Sequence, residues 1–426
     1  MILFKNAQIA SEQTGALPRA DVLVEGAKIR AVGQDITPPE GAEAKVIDCE
    51  GKILLPGLFD MHVHFRDPGR GDEETIKSGS EAAINGGVTG VVMMPNTAPA
   101  IDSGAGVQAV LDNAAENARI RVLTSGCITK GQEGKDLAGI AGMKSKGVFL
   151  ITDDGNPVTD ELVLRRAMDY AKNFELLVGS HCETLSLSGD GAMNEGAVSY
   201  ALGIPGMPAI SEEICLDRNL RIAQHTGAHL HIHRLSTARG METVERFKNE
   251  GVNVTCEVAP HHLLFNEHDI GDYDTHLKMC PPLRTEEDNA RLLQGLKDGI
   301  FDVIATDHAP HTQSEKNQDF TSAPFGITGL ETALVSLYER FIKTGELGWD
   351  VLVKRYSSEP RKLAKLDPLV IKEGADAEFV LFDPEGKTTF TKEFMRSKSS
   401  NTPFLDREVA GMVEMVVFDG EILLAR

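Results

Sequence analysis

The chain is short of positive charge. Its 426 residues hold 43 Lys and Arg against 64 Asp and Glu, a formal net charge of −21. That balance argues against nucleic acid and anionic membrane as main partners, because both are bound through an excess of basic side chains. It names no substrate, since an acidic surface also serves solubility. Long apolar runs are missing as well. None approaches the roughly 18 residues of a membrane-spanning helix. The opening MILFKNAQIASEQ has neither the apolar length nor the preceding basic segment of a secretion signal. The six cysteines (Cys49, Cys127, Cys182, Cys215, Cys256 and Cys280) are scattered, with no C-x-x-C pair. A reduced, cytoplasmic protein with mostly buried, apolar-like cysteines is the simplest account.

What is present is a regular alternation. The segments GLFDMHVHF, VTGVVMMPN, RIRVLTSG, GVFLITDDG, FELLVGSHCE, AHLHIHRLS, VNVTCEVAP and DVIATDHAP read as eight apolar strands over about 250 residues, mostly with helical segments between, one of them predicted over Gly104–Asn117. Count and length are those of a (β/α)8 TIM-type barrel. A doubly wound open sheet is the alternative, but no G-x-G-x-x-G follows any strand. The first 55 residues and the last 50 or so are strand-rich and each is short for a domain of its own, which predicts one small β-sandwich domain built from both termini. The expected division is 1–55 and 365–426 for the sandwich and 56–364 for the barrel. The stretch APHTQSEKNQDFTSAPFG, after the last strand, is long enough to be an active-site lid or a disordered segment.

Several strands end in chemically capable groups, and in a barrel those ends converge on one mouth. His62 and His64 are two apart, so on a strand both imidazoles face the same way, and paired neutral imidazoles suit zinc. An isolated H-x-H is as often a pair of satisfied strand histidines, but here other ligand types stand at other strand ends. Asp153 and Asp154 end the fourth strand, where they could cap the next helix or reach the mouth. His181 ends the fifth strand. Asp307, His308 and His311 end the eighth, and an aspartate beside an activated water is well placed as a general base.

Taken together, the H-x-H, TDDG, SHCE, PPLR and ATDHAPH segments resemble the amidohydrolase superfamily. HVHFRDPG, MMPNT, EGAVSYALGIPGMP, APHHL, APFGITGLETA and SSNTPF narrow the resemblance to the class I bacterial dihydroorotase family, over nearly the whole chain. The resemblance implies reversible, zinc-dependent cyclisation of N-carbamoyl-L-aspartate to dihydroorotate in pyrimidine synthesis. It implies that His62, His64 and Asp307 bind one metal ion and that Asp154 bridges to a second, also bound by His181. Asp307 would be the catalytic base. His64, Arg66, Asn96, Cys280, His311, Phe325 and Gly326 fall at the family's substrate-binding positions, with Arg66, Asn96 and His311 on the substrate carboxylate. Hydantoinase and allantoinase relatives carry a carboxylated lysine where this chain has Asp154. A homodimer and association with an aspartate transcarbamoylase are further implications.

Two positions depart from the family. A metal-binding histidine of strand six is Arg234 here, and a guanidinium cannot ligate a metal. That predicts one or two zinc ions per chain, with the second site weakened. The Asn before PPLR is Cys280, a poor replacement for an amide. In AHLHIHRLST the strand period puts His229, His231 and His233 on one face and Arg234 on the other. The expectation is that the histidines pack between strand and helices and that Arg234 faces the mouth. Two other functions compete with an active dihydroorotase: a catalytically impaired structural partner of aspartate transcarbamoylase, and another cyclic amidohydrolase.

Overall fold

A computed structural model describes all 426 residues. Eight parallel strands form the barrel: β1 (Leu58–Val63), β2 (Val88–Met93), β3 (Arg121–Thr124), β4 (Leu150–Thr152), β5 (Leu177–His181), β6 (His229–His233), β7 (Val254–Val258) and β8 (Val303–Ile304). They pair in sequence as β1-β2-β3 and β4-β5-β6-β7-β8. Parallel bridges from Gly126 to Ile151 and from Val63 to His308 join the two sets and close the ring. Closure rules out the open doubly wound sheet.

Alternation along the strands sorts the side chains. Leu230 and Ile232 of β6 and Val254 of β7 point outward, into the apolar layer shared with the helices. Phe59, Met61, Val92, Leu150, Leu177 and Val303 come from strands all round the barrel and meet as an apolar plug inside it. On β1 the plug residues Phe59 and Met61 would place His62 outward. A register shift between Asp60 and Val63 reverses the phase and turns His62 and His64 inward above the plug. The helix over Gly104–Asn117 is present with those bounds, capped by Ser103, whose side chain accepts from the Gly106 N–H.

Both termini contribute to one eight-stranded sheet. Ile2–Ile9, Arg19–Glu25, Lys28–Gly33, Lys45–Asp48 and Ile53–Pro56 come from the N-terminal part, and Phe379–Thr389, Glu408–Phe418 and Glu421–Ala425 from the C-terminal part. The two parts meet where Ile53–Pro56 pairs antiparallel with Phe379–Phe382. The seam packs around Phe4 and Phe379, whose rings meet edge to face at 5.0 Å.

Candidate metal centre and substrate cavity

The strand ends deliver a buried cluster. His62 Nε2 lies 3.3 Å from Asp154 Oδ2 and 3.5 Å from Asp307 Oδ1. His64 Nε2 lies 3.0 Å from Asp307 Oδ1 and 3.7 Å from Asp154 Oδ2. Nitrogen and oxygen ligands about 2.0–2.2 Å from a tetrahedral ion stand about 3.3–3.5 Å apart. His62, His64 and Asp307 are therefore close enough to hold one metal ion, with Asp154 beside them. Their tautomers fit as well. His62 Nδ1 meets Glu257 Oε1 at 2.6 Å and His64 Nδ1 meets Asn96 Oδ1 at 2.9 Å. With each Nδ1–H donating to an oxygen, each Nε2 faces the cluster and is the nitrogen a metal ion would take in place of a proton.

The charges are strongly coupled. Burial works against ionisation of Asp154 and Asp307, but the Arg234 guanidinium and the neighbouring histidines outweigh it and hold both carboxyls well below the usual range. Burial alone would also neutralise His62, yet Glu257 and Asp154 push it up to about 10. This pocket is built to hold positive charge.

Arg234 is part of that balance. β6 ends at His233, and Arg234 takes φ +46°, outside the strand conformation. The turn swings the guanidinium into the mouth. Nη2 donates to Asp154 Oδ1 at 2.5 Å and to His181 Nδ1 at 3.3 Å, and Nη1 donates to Asp307 Oδ1 at 2.9 Å.

The three histidines of β6 are not where the sequence suggested. They face the barrel interior rather than the helices. His231 Nε2 and His233 Nδ1 each lie 3.2 Å from Glu257, and the His233 ring stacks edge-on against His62 at 4.7 Å. Outward positions on β6 are already taken by Leu230 and Ile232. Gly179 makes this possible: a Cβ there would stand 2.2 Å from His233 Nε2. Glu257, missed in the sequence, is the hub beneath His62. An acid at inward parity with Thr255 in the apolar run VTCEVAP is the signal that pointed to it.

Above the cluster lies a cavity of about 470 Å3. His64, Arg66, Asn96, Cys280, His311, Phe325 and Gly326 line it, together with Asp154, His181, Arg234 and Asp307. His62 lies beneath, fully buried. Arg66 is anchored at Nε by Glu73 Oε2, 3.2 Å away. His311 Nδ1 meets Glu73 Oε1 at 2.8 Å, so one buried acid positions both side chains. Two neighbours from the same motifs stay outside the cavity. Asp153 accepts from the Ile128 and Thr129 amides, and His308 turns away to Glu74. Cys280 Sγ lies 3.6 Å from both His181 Nε2 and Glu183 Oε2.

The long segment after β8 folds over the mouth and includes a short helix, Gln313–Lys316. Two buried lysines hold it. Lys316 Nζ donates to the Pro324 and Gly326 carbonyls, and Lys278 Nζ donates to those of Thr321 and Ala323. Asn401, in SSNTPF, ties the Ala309 and Gly326 carbonyls to the C-terminal part.

A closed barrel with buried His and Asp at its strand ends defines the class as a metal-dependent hydrolase of the amidohydrolase superfamily. A family model described as Dihydro-orotase-like matches residues 51–240. A dihydroorotase of Caldanaerobacter subterraneus is 41% identical over 99% of this chain and 96% of its own length. One of Carboxydothermus hydrogenoformans is 42% identical over 100% and 98%. The chain belongs to the dihydroorotase family. Among solved structures, the L-hydantoinase of Arthrobacter aurescens superposes with a TM-score of 0.88 at 23% identity, covering 100% of this chain and 96% of its own. The dihydropyrimidinase of Brevibacillus agri gives 0.85 at 23%, covering 99% and 95%. These two share the fold.

Proposed function

We propose that the protein is a zinc-dependent dihydroorotase that interconverts N-carbamoyl-L-aspartate and dihydroorotate in pyrimidine synthesis. The observation that carries this is an arginine, Arg66, beside Asn96 and His311 in a cavity whose floor is a metal-binding cluster. A guanidinium suits the substrate carboxylate, which simple hydantoins lack. Zinc would be held by His62, His64, Asp307 and Asp154, where it supplies a Lewis acid and lowers the pKa of bound water.

The chain's own groups do the rest. Arg66, Asn96 and His311 fix the carboxylate and so set the ring carbonyl over the floor. Asp307, held ionised, takes the proton of the attacking water and passes it to the ring nitrogen as the C–N bond breaks. Cyclisation runs these transfers in reverse. Phe325 and Gly326 present loop backbone to the ring, and the loop excludes water. Gly326, at φ +116°, leaves no room for a side chain, because a Cβ would meet that of Ala309 at 2.6 Å.

The same reading includes a cytoplasmic location, a homodimer and the domain division at 55/56 and 364/365. No helix is long and apolar enough to cross a membrane. An aspartate transcarbamoylase partner belongs to the competing structural role, against which the intact floor cluster argues. Dihydroorotate hydrolysis assayed beside hydantoin and allantoin tests the function. Turnover of dihydroorotate alone is expected. Turnover only of the others would reassign the substrate, and no turnover by zinc-loaded protein would favour the structural role.

A further inference from the structure

Asp154 Oδ1, Asp307 Oδ1 and His181 Nδ1 converge on one place in the mouth, and the Arg234 guanidinium fills it. We infer that this chain binds a single metal ion and that Arg234 is the fixed cation standing in for a second. The inference rests on the dihydroorotase reading only for the identity of the first ion.

Three observations carry it. The guanidinium is buried, with its side chain 6% exposed, and it pairs with two carboxylates at once. To admit an ion it would have to leave both, and breaking a buried ion pair is strongly unfavourable. Its position is set by backbone as well as charge, since Arg234 occupies the left-handed region and its own N–H lies 3.3 Å from Glu257 Oε1. Finally, His181 is engaged at both ring nitrogens: Arg234 Nη2 lies 3.3 Å from Nδ1, and Glu183 Oε2 lies 2.9 Å from Nε2. Neither nitrogen of His181 is then free to take a metal ion without breaking one of these contacts. The His181–Glu183 contact also engages the Cys280–His181–Glu183 group, whose atoms are otherwise near enough to share an ion.

Arg234 is therefore a positioning residue. It holds Asp154 and Asp307 beside His62 and His64 through two buried contacts, and it does so without the exchangeable ligation of a bound metal.

The test is a metal count that does not depend on turnover. Full-length wild-type protein, stripped with a chelator, reloaded with excess zinc and desalted, should hold one zinc per chain by plasma mass spectrometry. Arg234→His, checked for folding by circular dichroism, should take up twice as much. The wild-type count stands whether or not the variant folds. Two ions in wild-type protein would overturn the inference, as would a folded Arg234→His that still holds one. A count near zero in wild-type protein would instead overturn the metal-centre reading itself, so the two failures are distinguishable.

Discussion

Single side chains carry sharply different loads in this site. Glu257 touches no substrate, yet it accepts from His62, His231 and His233 inside the barrel. Outer partners of metal-binding histidines typically change metal affinity by about 10–100-fold. Glu257→Gln should weaken zinc binding to that extent in a competition titration with a chromogenic chelator, and unchanged affinity would remove Glu257 from the metal account. Asp307→Asn keeps the shape of the side chain but cannot take the proton. Hydrolysis of dihydroorotate should fall by about 10²–10⁴-fold in kcat, while the circular dichroism spectrum stays that of wild type. Arg66→Met removes a charge-assisted contact worth about 1.5–3 kcal/mol. Its signature is a rise in KM for dihydroorotate of about 10–150-fold. An effect confined to kcat would place Arg66 elsewhere in the reaction.

At the scale of elements, the loop after β8 is the informative case. Its short helix delivers Lys316, 1% exposed, to two carbonyls of its own loop. Burial, with Lys278 alongside, pushes this ammonium down to about 7 from an ordinary 10.5. Between those values the unfolded chain holds a proton that the folded chain has released. Stability linked to Lys316 is therefore fully present above 10.5 and lost as pH falls towards 7. Chemical denaturation should show wild type gaining stability over that range, with the gain absent in Lys316→Met. A variant that follows the wild-type curve would contradict the assignment. Strand β6 shows what sequence reading reaches and where it stops. Period two placed its three histidines together, but which face looks inward is decided by Glu257 and by the space at Gly179, both on neighbouring strands. Strict alternation could not foresee the turn at Arg234 either, because a positive φ at a non-glycine residue leaves no mark in composition. The eight strands and the helix over Gly104–Asn117 were legible because each is an apolar run with a clear period or cap.

On the scale of the whole molecule, the N- and C-terminal parts complete one sheet. Ile53–Pro56 lies between strand Ile2–Ile9 and strand Phe379–Thr389. The same C-terminal part supplies Asn401 to the loop over the cavity. The strand-end residues His62, His64, Asp154, His181, Arg234 and Asp307 were legible because barrel strands gather their ends, while Cys280, Phe325 and Gly326 were placed only through the family resemblance. Those that hold them in place (Glu73, Glu257, Lys278 and Asn401) were not legible, because each acts through a contact distant in sequence. The central claim is that this cavity converts dihydroorotate through a centre with one metal ion. Its most direct test is hydrolysis of dihydroorotate by protein carrying a measured single zinc per chain. Turnover should disappear on chelation and return as one equivalent of zinc is added, with no further gain from a second. Silence at one equivalent, or activity that appears only with the second, would contradict it.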